Sequence, residues 1–253
     1  MLQNELSRPE ATLPTKTFIL MDKAEFDKFA DEYRSLHATN IAISGEAPDY
    51  FADYKIKDLA DEYLRYGTKA SDVPAVLDFG AGIGTSVPFV QKYLPGARLT
   101  CLDVSTKSIE VGQCRFHGEA QFVPFDGTKI PFPDASFDIV FAACVFHHID
   151  HDEHVPLLAE LRRVLSPGGM LFVFEHNPYN PLTVRTVNNC CFDENARLIP
   201  APEMCRRISA AGLSGTRIRY RIFFPRALRA LRLFEKKMTW LPLGAQYYAF
   251  AVK

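Results

Sequence analysis

Val76-Leu77-Asp78-Phe79-Gly80-Ala81-Gly82-Ile83-Gly84 runs an apolar strand, with an acid near its end, into a glycine-rich turn and then a helix. Three glycines in five residues let the backbone bend sharply and approach a ligand where a Cβ would clash. The helix that follows presents unpaired N–H groups to that ligand. This is the geometry that holds a nucleotide-like group. The spacing narrows which one. A dinucleotide fingerprint reads G-x-G-x-x-G, and counted from Gly80 its third glycine would fall on Thr85. The chain reads D-x-G-x-G-x-G instead, with the third glycine at Gly84.

That pattern resembles the first motif of the class I S-adenosylmethionine-dependent methyltransferases of small-molecule type, and further segments follow in the family's order. Leu99-Thr100-Cys101-Leu102-Asp103 is similar to the second strand, whose terminal acid takes both ribose hydroxyls; only a carboxylate accepts from two adjacent hydroxyls at once. Phe122-Val123-Pro124-Phe125-Asp126-Gly127, followed by Ile130 to Val140, resembles the adenine-contacting loop and strand four. Leu161 to Val173, with Ser166-Pro167-Gly168-Gly169, is similar to the turn and fifth strand that close the core. The last strand is expected over Gln246 to Val252. The resemblance implies an α/β, Rossmann-like, doubly wound and mostly parallel seven-stranded sheet with an antiparallel last strand and N-terminal lid helices. It also implies S-adenosylmethionine as cofactor. The contacts carried over are Asp78, Gly80, Gly82 and Gly84 in the first motif, Asp103 and Val104 after strand two, Asp126 and Gly127 in the adenine loop, and Cys144 after strand four.

Length and composition permit this without adding to it. The 253 residues suit one α/β domain with appendages. A net charge of −1 gives no general attraction to nucleic acid. Six cysteines without a C-x-x-C pair read as reduced thiols of a cytoplasmic protein, and neither a signal peptide nor an apolar run long enough to span a membrane is expected.

Along the chain, residues 1–16 read as a flexible N-terminus, 17–70 as a helical lid, and 71–253 as the core, with insertions at about 178–202 and 225–243. Asp22 to His37 carries apolar residues at helical spacing. A second helix is expected over Pro48 to Tyr66 with Phe51, Tyr54, Leu59, Tyr63 and Leu64 inward. A short helix at Glu203 to Ala211 and a strand at Thr216 to Phe224 follow the segment rich in Asn and Pro. In the lid, Tyr33 and Lys55 are the polar residues placed to meet the cofactor's methionine carboxylate, which would otherwise lie unpaired once water is excluded.

Methyl transfer needs alignment and, for a hydroxyl acceptor, removal of a proton. The candidates for that base, His147 and His148, lie in Phe146-His147-His148-Ile149-Asp150-His151 after strand four, with at most one expected to face the pocket. Glu175 and His176 are second candidates. No metal site is expected: His147, His148, His151 and His154 cluster in sequence, but no carboxylate or thiolate is clearly fixed beside them. Asn177-Pro178-Tyr179-Asn180-Pro181 is similar to the N-P-P-Y motif of methyltransferases acting on exocyclic amines of nucleic acid, but it follows strand five instead of ending strand four, and reads as a loop.

Between Arg217 and Lys237 lie six arginines, two lysines and one acid, Glu235, a local charge of +7. A basic helix at about Arg226 to Lys237 sets Leu228, Leu231 and Phe234 against Arg226, Arg229, Arg232 and Lys236. Through residues 226–237 it offers contact with a peripheral membrane or anionic lipid; the plainer reading is a solvated face with its apolar side on the core. The expected function is methyl transfer to a small molecule, amphiphilic or phosphorylated, with no nucleic-acid partner. An RNA or protein methyltransferase and a catalytically silent cofactor-binding subunit are the alternatives.

Overall fold

The computed structural model describes residue 41 and residues 44–67, 73–190, 193 and 195–253. The stretch 1–16, the helix expected over Asp22 to His37 with its Tyr33, and Cys191 lie outside the described residues.

Helix α1 spans Pro48–Tyr66, as the spacing predicts. Proline in its first turn brings φ already set for a helix, Asp49 sits where the helix dipole is positive, and Arg65 lies at the negative end. The helix buries Tyr54, Lys55, Ile56, Leu59 and Tyr63. Leu64, expected inward, is 70% exposed. One residue beyond buried Tyr63 is a rotation of about 100°, which carries it off the inner face.

Seven strands form one sheet: β1 (Ala75–Phe79), β2 (Arg98–Asp103), β3 (Gln121–Pro124), β4 (Phe137–Ala143), β5 (Leu165–His176), β6 (Ser214–Arg221) and β7 (Gln246–Val252). Their order is β3-β2-β1-β4-β5-β7-β6. The first five run parallel, and β7 is antiparallel to both β5 and β6. This is the Rossmann-like arrangement expected. Helices α2 (Val87–Tyr93), α3 (Thr106–Arg115), α4 (His154–Val164), α5 (Pro181–Asn188) and α6 (Ala201–Ala210) complete the layers around it.

All five residues of β1 are buried, as a strand covered on both faces requires. Alternation then assigns them to two cores. Val76 packs with Ile56, Leu59, Val90 and Ile109 on the α1, α2 and α3 face, and Leu77 with Leu157, Leu161 and Ile208 on the α4 and α6 face. The strand order reverses between β1 and β4, so their carboxyl ends part and leave a crevice.

Two segments differ from expectation. The Asn-Pro-rich stretch is not irregular throughout: Asn180 caps α5, its side chain accepting from the N–H groups of Leu182 and Thr183, with Pro181 in the first turn. Residues 226–237 do not form one amphipathic α-helix. A 3₁₀ stretch, Arg226–Phe234, is kinked at Leu228 and leads into the short helix α7 (Glu235–Met238). Because the tighter turn rotates its side chains differently, Leu228, Leu231 and Phe234 stand exposed and not on the core.

Candidate active site

The loops at the carboxyl ends of β1, β2, β4 and β5 surround a cavity of about 360 Å³. At Gly82, φ is +54° and nothing lies within 4 Å of where a Cβ would project. Gly82 lines the cavity, so the space a Cβ would take belongs to it. At Gly80 a Cβ would come within 2.5 Å of Val145, so this glycine lets the turn close on the loop after β4. Gly84 packs against Phe116 and Phe122, outside the cavity lining. Asp103 lies at the end of β2, and its carboxylate accepts from the N–H groups of Gly82 at 2.7 Å and Ser105 at 2.8 Å. The glycine turn and the acid of strand two are therefore locked together. Beneath them Asp78 accepts from the Ser86 hydroxyl, and burial pushes its carboxyl up to about 7 despite that bond.

Val104 lines the same wall. Asp126 and Gly127 do not reach it. Asp126 is exposed, and its carboxylate closes a local turn, accepting from the N–H of Thr128 at 2.8 Å and its hydroxyl at 2.6 Å. Gly127, with φ +83°, carries the backbone on through that turn.

Lys55 is buried, and its ammonium donates to the Cys144 thiol at 3.1 Å. Cys144 is held at φ +62°, a left-handed conformation unusual for a side-chain-bearing residue, with its N–H on the carbonyl of Phe174 at 2.8 Å. Burial alone would raise the thiol; the charges of Lys55 and His176 outweigh it and bring it to about 6.

The structure gathers the histidines more tightly than their spacing implies. A 3₁₀ turn, Phe146–His148, follows Cys144, and both His147 and His148 line the cavity, their ring centres 4.1 Å apart. The expectation that only one would do so fails because the tight turn does not place successive residues on opposite sides. His147 Nδ1 meets Glu175 Oε2 at 2.5 Å, both groups buried. Glu175 Oε1 accepts from the N–H groups of Val145 at 3.2 Å and Phe146 at 2.8 Å. Burial works against an imidazolium at His147, but the Glu175 carboxylate beside it prevails and favours the charged ring. His148 is pushed the other way, by burial and by the charge of His147. Asp193 places Oδ1 at 3.4 Å from Nε2 of each histidine, so a carboxylate does stand beside the pair. Its spacing in sequence gives no hint of this, because the chain returns only after α5. Backbone bonds fix it there: Asp193 N–H to the carbonyl of Cys190 at 3.1 Å, and Arg197 N–H to that of His147 at 2.8 Å. His176 also lines the cavity, as does Gln246, which accepts from the Tyr54 hydroxyl.

Residues 77–173 match the methyltransferase domain family. That stretch of the chain is a methyltransferase domain. A ubiquinone/menaquinone biosynthesis C-methyltransferase from Ectopseudomonas mendocina is 34% identical to this methyltransferase domain over 124 residues, which cover 46% of this chain and 48% of that protein. A sterol 24-C-methyltransferase from Gibberella zeae is 34% identical over 126 residues, covering 46% of this chain and 31% of that protein. The chain spans about half the length, or less, of the curated relatives it matches. Among solved structures, an S-adenosylmethionine-dependent methyltransferase from Thermotoga maritima shares the fold with a TM-score of 0.62 at 17% identity, covering 91% of this chain and 98% of that one. Human N-acetylserotonin methyltransferase, solved with S-adenosylmethionine, gives 0.60 at 16% identity, covering 92% of this chain and 56% of that one.

Proposed function

We propose that this chain transfers a methyl group from S-adenosylmethionine to a small amphiphilic acceptor. The observation that carries the reading is one cavity lined by two unlike sets of residues: the glycine turn with Gly82 and the carboxylate of Asp103, and the apolar side chains of Phe51, Leu182, Val187, Ile222 and Phe223. When bound, S-adenosylmethionine supplies a methyl group already activated by its sulfonium charge. The chain's own residues hold and orient. Asp103, its carboxylate fixed by two backbone N–H groups, would accept from ribose hydroxyls, and Gly82 leaves the room they need. Buried Lys55 offers an ammonium to a carboxylate. His147 has Nδ1 committed to Glu175, which fixes its ring on the cavity wall with His148 beside it. The two curated relatives are named for acting in quinone biosynthesis and on sterols, which favours an acceptor with a large apolar part.

The arginines argue against a nucleic-acid acceptor. Arg219, Arg221 and Arg232 pair with Glu62, Asp58 and Glu46, so much of the local positive charge is answered within the fold. What projects at 226–243 is apolar and basic together: Leu233 and Trp240 are 85% and 74% exposed, and Arg226, Arg229, Lys236 and Lys237 stand exposed beside them. The segment follows cavity residues Phe223 and Pro225 directly, as fits an acceptor drawn from an anionic membrane surface.

Calorimetry with S-adenosylmethionine, S-adenosylhomocysteine and NAD tests the donor. The first two bind and NAD does not, and Asp103→Ala weakens binding by about 1.5 to 3 kcal/mol, the range for charge-assisted hydrogen bonds. NAD binding without a response to the sulfonium overturns the reading. Labelled methyl release sorted into lipid, soluble and macromolecular fractions then tests the acceptor, with the lipid fraction expected to carry the label.

A further inference from the structure

We propose that His147, His148 and Asp193 form a binding site for a divalent cation of the zinc class on the wall of the cavity. Each residue offers one ligand atom, and these atoms all lie within 4.8 Å of one another. Both imidazole Nε2 atoms stand 3.4 Å from the same carboxylate oxygen. That is longer than a good N–H···O hydrogen bond, at about 2.7 to 3.2 Å. It is close to the edge of a coordination tetrahedron: bonds of about 2.0 to 2.1 Å to zinc put neighbouring ligand atoms about 3.3 Å apart.

Beyond the ligand atoms, the surroundings match what such a site needs. A ligating histidine commonly gives its other nitrogen to a carboxylate, which fixes the ring and raises its basicity. His147 does this through Nδ1 to Glu175, itself held by the backbone N–H groups of Val145 and Phe146. Asp193 is anchored by the backbone bond from its own N–H to Cys190, and its loop by that from Arg197 to His147. Two imidazoles and one carboxylate carry a net charge of −1 when the rings are neutral, which a divalent cation reverses. Three protein ligands leave a fourth position, the arrangement of sites that take a water or a substrate oxygen. All three residues line the cavity, so that position is reachable from it. Use of the fourth position to anchor an acceptor oxygen rests on the methyl-transfer reading; the site itself does not.

The experiment titrates chelator-stripped, dialysed full-length protein with Zn²⁺ by calorimetry and with Co²⁺ by visible absorption, measuring S-adenosylmethionine affinity on the same samples. One equivalent of each metal is expected, with the intense ligand-field bands of four-coordinate Co²⁺. Asp193→Asn and His148→Gln, both at partly exposed side chains, should each weaken metal binding at least tenfold while their circular dichroism stays that of the wild type. Glu175→Gln should weaken it by about 10- to 100-fold through loss of the orienting bond. His117→Gln, at an exposed site away from the cavity, should bind as the wild type does. No uptake by the wild type, or equal uptake by Asp193→Asn and His148→Gln, overturns the proposal. Failure of the donor reading would show separately, as loss of S-adenosylmethionine binding with metal uptake intact.

Discussion

Gly82 and Gly96 share a left-handed backbone, φ +54° and +81°, and at neither would a Cβ meet another atom within 4 Å. They differ in where that empty space belongs, since only Gly82 lines the cavity. Alanine at either position should therefore cost about 1 to 2 kcal/mol of stability from strain. Only Gly82→Ala should also lower cofactor affinity, a contrast that parallel denaturation and calorimetry would read directly. Asp78 gives a pH signature. Its folded carboxyl titrates near 7 because of burial, well above the ordinary 3.8. Between those values the folded chain keeps a proton that the unfolded chain has lost. The contribution of this group to stability is then fully present below about pH 4 and falls as pH rises, by about 1.4 kcal/mol per unit, until it is lost above pH 7. Asp78→Asn should flatten that limb in urea unfolding across pH 4 to 8, and an unchanged slope would place the titrating group elsewhere.

At the scale of elements, α5 shows how a capping residue reaches into function. Asn180 caps the helix, and its side-chain amide also donates to the carbonyl of Leu243 at 2.8 Å, tying the helix start to the segment before β7. Leu182, Thr183, Thr186 and Val187 of this helix line the cavity. Asn180→Ala should destabilise the protein by about 1 kcal/mol. Its effect on turnover should appear in the acceptor's KM, with donor affinity unchanged; a matching loss of donor affinity would mean that α5 serves the donor instead.

Across the whole molecule, α1 is fastened to the far edge of the sheet by charge. Arg221 on β6 meets Asp58 at 2.6 Å and Arg219 meets Glu62 at 3.4 Å, while the Tyr248 hydroxyl on β7 donates to Glu62 at 3.2 Å. Both members of the first pair are largely buried, and burial lifts Asp58 to about 6 even with Arg221 beside it. Removing only the cation leaves a buried carboxylate without its partner, so Arg221→Ala at pH 7.5 should cost about 3 kcal/mol. Adding Asp58→Asn should recover part of that loss. Urea unfolding of the four proteins in the cycle tests this, and additive losses would deny the coupling.

Sequence alone determined the seven strands, α1, and the glycine turn and strand-end acid that line the cavity. Period and punctuation are local, so α1 at Pro48–Tyr66 and β7 at Gln246–Val252 were legible to the residue, and the first motif's glycines and Asp103 were legible because one turn and one strand end carry them. Tertiary structure alone decided what surrounds the histidines. Asp193 comes to His147 and His148 only because the chain leaves β5, forms α5 and folds back, a contact with no periodicity to betray it. The same holds for the basic stretch, whose charge is answered by Asp58 and Glu62 of α1 and by Glu46 just before it, more than a hundred residues earlier. Spacing reports which residues share a face of one element; which faces meet across the molecule is set by the packing of the two cores.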